Sequence, residues 1–243
     1  MKLFGLIGYP LSHTFSPGYF NEKFKREHIH AEYRAFPLER LEEFPELLNL
    51  YPQLQGLNVT IPYKERIIPY LGRLDKLAQD IGAVNCIRLD EEGLTGFNTD
   101  ASGFRDTIRP LLQARHKAAL ILGTGGASRA VRYILEQEGL ECLLVSRTGE
   151  KGAVKYNELD RDMLERYTVI INTTPAGMYP RHEEAPAIPY RFLTAGHLLY
   201  DLIYNPAETL FLKKGRQQGA AVKNGYDMLI GQAEGSWSVW NKI

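Results

Sequence analysis

The sequence predicts an α/β fold in two domains, an N-terminal α/β unit with a mixed sheet over residues 1–100 and a doubly wound unit over residues 101–225, with a cleft between them. Three observations carry that expectation. Strand-like and helix-like patterns alternate from Lys2 to about Asp100; two strand patterns flank an acidic turn at residues 90–93; and residues 118–151 read as apolar strand, glycine turn, helix, second strand and basic cluster. A last helical pattern at about 226–243 is expected to pack back on the N-terminal unit.

In chain order, residues 3–8 suit a first strand, and a helix is expected to start with Ser16 as its cap and Pro17 at its first position. A strand at 32–36, a helix from Leu38 and a strand at 57–61 follow. The period of two puts Leu57, Val59 and Ile61 on one face, with Asn58 and Thr60 on the other. Strands at 83–89 and 94–98 read as a hairpin, an antiparallel edge on an otherwise parallel sheet. A helix from Ala101 to about Arg115 leads into the second domain, with a hinge near residues 100–117. There, strands at 118–122, 142–145, 169–172, 198–203 and 221–223 complete an open parallel sheet, with helices through Glu138 and at 206–218 and a proline-rich loop at 175–189.

The composition describes a globular chain without electrostatic bias: 44% of residues are hydrophobic, and 29 basic side chains balance 29 acidic ones. Nucleic acid and anionic membrane are not the expected partners. No apolar run approaches a membrane span, and residues 1–7 pass too soon into turn residues for a secretory signal, so a cytoplasmic address is expected. Cys86 and Cys142 sit in apolar segments as small buried residues, and the six histidines form no metal cluster. The sequence leaves a homodimer open.

Gly123, Thr124, Gly125, Gly126, Ala127 and Ser128 interrupt the chain between strand and helix. Glycines there let the backbone turn sharply and approach a pyrophosphate, whose charge sits on the unpaired N–H groups at the helix start. The order is that of a Rossmann-like dinucleotide site, with Ser128 at the third glycine position; an ordinary strand-to-helix turn is the alternative. Where an NAD site would place an acidic residue, the next strand ends in Ser146, Arg147 and Thr148, with Lys151 beyond. Arg147 and Lys151 can pair with a 2′-phosphate while Ser146 and Thr148 offer hydroxyls, so NADP is the expected cofactor. A charge-assisted hydrogen bond contributes about 1.5–3 kcal/mol, enough for Arg147 alone to favour NADP roughly ten- to a hundredfold. A solvated basic loop is the other reading of the same residues.

In the N-terminal unit, Thr14 and Ser16 present two hydroxyls just beyond a strand end, where ligands of open α/β sheets collect, and His13 between strand and helix reads as a loop-steadying residue. Asn58, Thr60, Asn85 and Asn98 add groups that donate and accept, which suits a polyhydroxylated ligand. Lys64 follows Pro62 and Tyr63 and could reach the same space, although an exposed lysine is the default. Asp100 is expected as the cap of the next helix and, ionised, would hold a neighbouring ammonium. A Lys64 and Asp100 pair suits a proton relay, because oxidising a secondary alcohol requires a group that takes the hydroxyl proton as hydride leaves.

Five separated segments together resemble the shikimate dehydrogenase family over nearly the whole chain: residues 8–17, 58–64, 96–100, 123–128 with 146–148, and 224–232. The resemblance implies NADP-dependent, reversible reduction of 3-dehydroshikimate to shikimate in aromatic amino-acid biosynthesis. It implies that Lys64 is the acid/base, paired with Asp100, and that Thr14, Ser16, Asn58, Thr60, Lys64, Asn85, Asp100 and Gln232 hold the substrate. Tyr204, in a further matching segment at 201–206, would lie near substrate and nicotinamide. Thr173, Ile203, Gly225 and Met228 would complete the cofactor site, Gly225 through its backbone. Thr14 and Ser146 depart from the family's usual serine and asparagine, Lys151 is its second basic residue, Pro175 and Ala176 replace the more usual residues of their loop, and the chain is shorter than is usual. A quinate or dual quinate/shikimate dehydrogenase using NAD or NADP is the nearest alternative. A non-catalytic sensor of NADP or a metabolite is the alternative of another class; a folate-linked dehydrogenase fits the hydroxyls and amides less well.

Overall fold

The apolar run of residues 2–8 becomes β1 (Lys2–Gly8), a strand buried on both faces between β2 and β3 in the six-stranded sheet of the N-terminal unit. The structure, a computed structural model, describes residues 1–11, 14–150 and 152–242. Contacts divide the chain into residues 1–99 with 233–243, and residues 100–232.

In the first unit β1 runs parallel to β2 (Ala31–Pro37) and to β3 (Leu54–Val59). Next come β5 (Cys86–Asp90) and β6 (Gly93–Phe97), the expected hairpin, with Asp90 opposite Gly93. The hairpin is not the sheet edge, because the two-residue β4 (Arg73–Leu74) pairs parallel to β6 outside it. Only β5, among the described strands of this sheet, runs against the rest. One face packs Leu3, Ile7, Leu57, Val59 and Ile87 against α2 (Phe44–Leu50) and α3 (Lys76–Ile81). The other face packs Phe4, Leu6, Tyr33 and Cys86 against α1 (Phe15–Arg26) and residues 233–241 of α8 (Tyr226–Asn241). There the Trp240 ring stacks on Phe4 at 4.8 Å and its indole N–H donates to the Ile87 carbonyl at 3.0 Å.

Several boundaries differ from expectation. Helix α1 begins at Phe15 with Thr14 in the extended cap position, so Ser16 and Pro17 lie inside the first turn, where a missing proline N–H has no intrahelical acceptor to lose. The helix expected from Leu38 forms as α2 after a 3₁₀ turn at Leu41–Glu43. β3 stops at Val59 because the Tyr63 N–H turns back onto the Thr60 carbonyl, and Ile61, expected on the buried face, is 69% exposed. Helix α4 (Thr99–Ile108) takes Asp100 into its first turn rather than using it as the cap, and ends before Arg115 at a 3₁₀ turn containing Pro110.

In the second unit β7 (Ala118–Leu122), β8 (Glu141–Ser146), β10 (Val169–Asn172), β11 (Leu198–Asp201) and β12 (Ala221–Lys223) are joined by an unpredicted β9 (Val154–Lys155). All are parallel, in the order β12-β11-β10-β7-β8-β9. The order reverses between β7 and β10, which is the doubly wound arrangement, with α5 (Gly126–Gln137), the unpredicted α6 (Arg161–Arg166) and α7 (Leu210–Gln217) as crossovers. The five residues of β7 are all buried, as a central parallel strand requires. β11 ends at Asp201 rather than Ile203, and α7 starts at Leu210, capped by the Thr209 hydroxyl.

Candidate active site

The substrate-type residues of the first unit meet because of strand register. β1, β3 and β6 end at one edge of the sheet, and β5, running the other way, begins there: the Val59 N–H donates to the Asn85 carbonyl at 2.9 Å and Cys86 lies opposite Phe97. Asn58, Thr60, Lys64 and Asn85 therefore belong to the strand ends and loops of this edge, and Thr14, Ser16 and Thr99 to the starts of the helices that follow β1 and β6. Tyr63 anchors the segment carrying Lys64, its buried hydroxyl donating to the carbonyls of Leu38 at 2.6 Å and Glu39 at 2.9 Å. The Lys64 carbonyl accepts the Val84 N–H at 2.7 Å, and its side chain is half-buried rather than fully solvated.

The polar groups differ in what they have left to offer. Thr14 spends no hydrogen bond on capping α1. Ser16 is 9% exposed and lies near enough to the Tyr33 hydroxyl to oppose the rise that burial imposes on that phenol. Asn58 is largely committed inside the unit: its oxygen accepts from Tyr33 at 2.8 Å, and its amide donates to the Asn85 carbonyl at 3.1 Å and to Ser236 at 2.8 Å. The Asn85 oxygen receives the Thr99 backbone N–H at 2.6 Å while its amide donates to the Thr99 hydroxyl at 3.0 Å. Asp100, next in the chain, is 7% exposed. Ser12 and His13 lie outside the described residues.

In the second unit Gly123 has φ of +115°, and a Cβ there would sit 2.6 Å from the Thr173 hydroxyl oxygen. That oxygen belongs to a side chain which donates to the Leu122 carbonyl at 2.7 Å, so turn and loop interlock at the end of β7. Gly125 caps α5 and has nothing within 4 Å of where a Cβ would stand, so its backbone can be approached closely. The first turn of α5 carries no acidic side chain, which fits a phosphate at its N–H groups. Ser128 is 2% exposed and donates to the Gly125 carbonyl at 2.6 Å, so its side chain braces the turn and only its backbone remains for an anion.

At the end of β8 the Ser146 hydroxyl oxygen accepts the Gly149 N–H at 2.9 Å, while Arg147 and Thr148 are exposed. Arg147 lies near enough to Tyr156 to oppose the rise that burial imposes on that phenol. Lys151 lies outside the described residues, but Lys155, which the sequence reading missed, pairs with Ser146 in register and lays its methylenes beside Gly149. Its two-residue strand is too short to announce itself by periodicity.

A second missed residue is Asp201. It is fully buried; its carboxylate accepts from Asn172 at 3.0 Å, the Ile203 N–H at 3.0 Å and the Thr209 hydroxyl at 2.6 Å, tying the ends of β10 and β11 to the cap of α7. Asn172 in turn holds Thr174. Burial raises the Asp201 carboxyl to about 6, against the pull of those three donors. The folded value exceeds the unfolded one of about 3.9, so this group's stabilisation is complete below pH ~4 and is lost as pH rises through 6, on the order of 3 kcal/mol. Urea melts should show that slope between pH 4 and 6 in the wild type, and Asp201→Asn should lack it.

Ile203 is buried and its carbonyl accepts the Gly225 N–H at 3.1 Å. A Cβ on Gly225 would stand 2.2 Å from the Leu202 carbonyl oxygen, which is backbone and cannot swing aside. Gly225→Ala should therefore cost about 1–3 kcal/mol in a denaturant melt and weaken NADP binding. Tyr204 is half-buried, Met228 is 7% exposed, and Gln232 donates to the Leu229 carbonyl at 3.0 Å within α8.

Residues 6–87 match the family model described as the shikimate dehydrogenase substrate binding domain. The NADP(+) shikimate dehydrogenase of Carboxydothermus hydrogenoformans is 40% identical over 260 residues, covering all of this chain and 92% of that protein. A crystal structure of shikimate dehydrogenase from Aquifex aeolicus superposes with a TM-score of 0.88 at 33% identity, over all of this chain and 93% of that one. The Thermus thermophilus shikimate 5-dehydrogenase, solved in complex with NADP(H) and shikimate, gives 0.87 at 29% identity, over all of this chain and 94% of that one. With such a fold, and with relatives that match this chain along its whole length, the chain belongs to the shikimate dehydrogenase family.

Proposed function

We propose that this chain catalyses the reversible, NADP-dependent reduction of 3-dehydroshikimate to shikimate, with residues 1–100 and the C-terminal helix as the substrate and catalytic domain and residues 101–225 as the nucleotide domain. The observation that carries it is the gathering of hydroxyls and amides beside the anchored Lys64 segment, on the same chain as a glycine turn followed by a basic strand end. NADP, when bound, supplies or accepts the hydride. Gly125 and the first turn of α5 would hold its pyrophosphate, Arg147 with Lys151 or Lys155 its 2′-phosphate, and Gly225 its nicotinamide end. As the hydrogen on the carbinol carbon departs as hydride, the Lys64 amine would take the hydroxyl proton and the C–O bond becomes the ketone. Asp100 favours the resulting ammonium.

Thr14, Ser16, Thr60, Asn85, Tyr204 and Gln232 orient the substrate in this reading, with Asn58 acting mainly through the groups it braces. The enzyme acts on small molecules in the cytoplasm; among the described residues no helix is long and apolar enough to cross a membrane. Purified protein given shikimate or quinate, each with NADP⁺ or NAD⁺, should reduce the cofactor fastest with shikimate and NADP⁺. A preference for quinate with NAD⁺ would move the assignment to quinate dehydrogenase, and no turnover with any pair would favour a sensor.

A further inference from the structure

We propose that Ser236, on the C-terminal helix, is a positioning residue of the substrate site, fixing Asn58 and the head of α4 through one buried hydroxyl. The proposal rests on the function proposed above and extends it to residues outside the segments that carry the family resemblance.

Ser236 is 0% exposed on a helix that packs Cys86 and Trp240 into the core, where alanine would satisfy an apolar surface. A hydroxyl there must find partners. Its oxygen accepts the Asn58 amide at 2.8 Å and lies 3.1 Å from the Thr99 hydroxyl, in a bond where either can donate. From this junction the network runs in two directions. Through Asn58 it reaches the Tyr33 hydroxyl at 2.8 Å. Through Thr99 it reaches both ends of the Asn85 amide, at 3.0 and 2.6 Å, and Thr99 precedes Asp100. Ser236 thus links side chains carried by two strands, a loop and the head of α4 that no local segment could hold in common register. Asn58 shows why the junction is needed: with both amide hydrogens donated, its orientation depends on having an acceptor at Ser236 as well as at the Asn85 carbonyl. Positioning of this kind affects turnover, because a misplacement of about 1 Å can cost on the order of 10²-fold.

Ser236→Ala should lower kcat/KM for shikimate roughly 10- to 100-fold, mostly in kcat, with the KM for NADP⁺ unchanged. Ile81→Val, in the same unit on α3 and outside the network, serves as a destabilised control whose kinetics should match wild type. If Ser236→Ala does not fold, Tyr33→Phe removes the hydroxyl at the far side of Asn58 and should show the same split at smaller size. Unchanged kinetics in the folded serine or tyrosine variant, an equal rise in KM for NADP⁺, or an equal loss in Ile81→Val would overturn the positioning role. Wild-type protein inactive on shikimate in the same assay would instead overturn the proposed function, and this role with it.

Discussion

Replacing Lys64 with alanine should slow shikimate oxidation by roughly 10²- to 10⁴-fold while leaving NADP binding intact, the range expected for losing a general acid/base. The segment that bears the amine is held by its own backbone and by Tyr63: two hydrogen bonds from the Tyr63 hydroxyl and one to the Lys64 carbonyl. Truncating the side chain beyond Cβ disturbs none of these three. The residues proposed to hold the cofactor belong to the other unit, so an affinity measurement for NADP⁺ should be unchanged. Loss of turnover with loss of NADP binding would point to misfolding, and normal turnover would remove Lys64 from the chemistry.

Arg147→Ala should raise the KM for NADP⁺ roughly ten- to a hundredfold and barely alter that for NAD⁺, since the two cofactors differ only at the 2′-phosphate. Arg147 is exposed at the end of β8, beside a turn closed by Ser146 and Gly149, and its removal leaves that closing bond in place. The lower end of the range is expected if Lys155, in register with Ser146, shares the phosphate. Comparing Arg147→Ala, Lys155→Ala and the double variant on both cofactors separates these contributions. Equal effects on NADP⁺ and NAD⁺ would show that the arginine does not read the phosphate.

The sequence was most legible where the backbone itself constrains the residue. The positive φ at Gly123 is a requirement that glycine meets at least cost, and the apolar run before it suits a strand buried on both faces. Gly93 marked the hairpin for the same reason. Short elements were not legible: β4 and β9 have two residues each, too few for alternation to show. Helices α3 and α6 carry their start signals in Asp75 and Asp160, but six residues give little helical period. Least legible were roles created by tertiary contact. Nothing local distinguishes Ser236 or Tyr33 from core residues, and nothing local shows that Asn58 has its amide spent inside the unit. Asp201 was visible as part of a family segment, but its work in joining two strand ends and a helix cap depends on Asn172 and Thr209 from elsewhere in the unit.

The proposed chemistry requires hydride to pass directly from the carbinol carbon of shikimate to NADP⁺. Shikimate deuterated at that carbon, incubated with the enzyme and NADP⁺, tests it by mass analysis of the reduced cofactor. One deuterium per reduced nicotinamide, formed more slowly than with unlabelled substrate, is the predicted result; reduced cofactor without the label, or no turnover of shikimate at all, would contradict it.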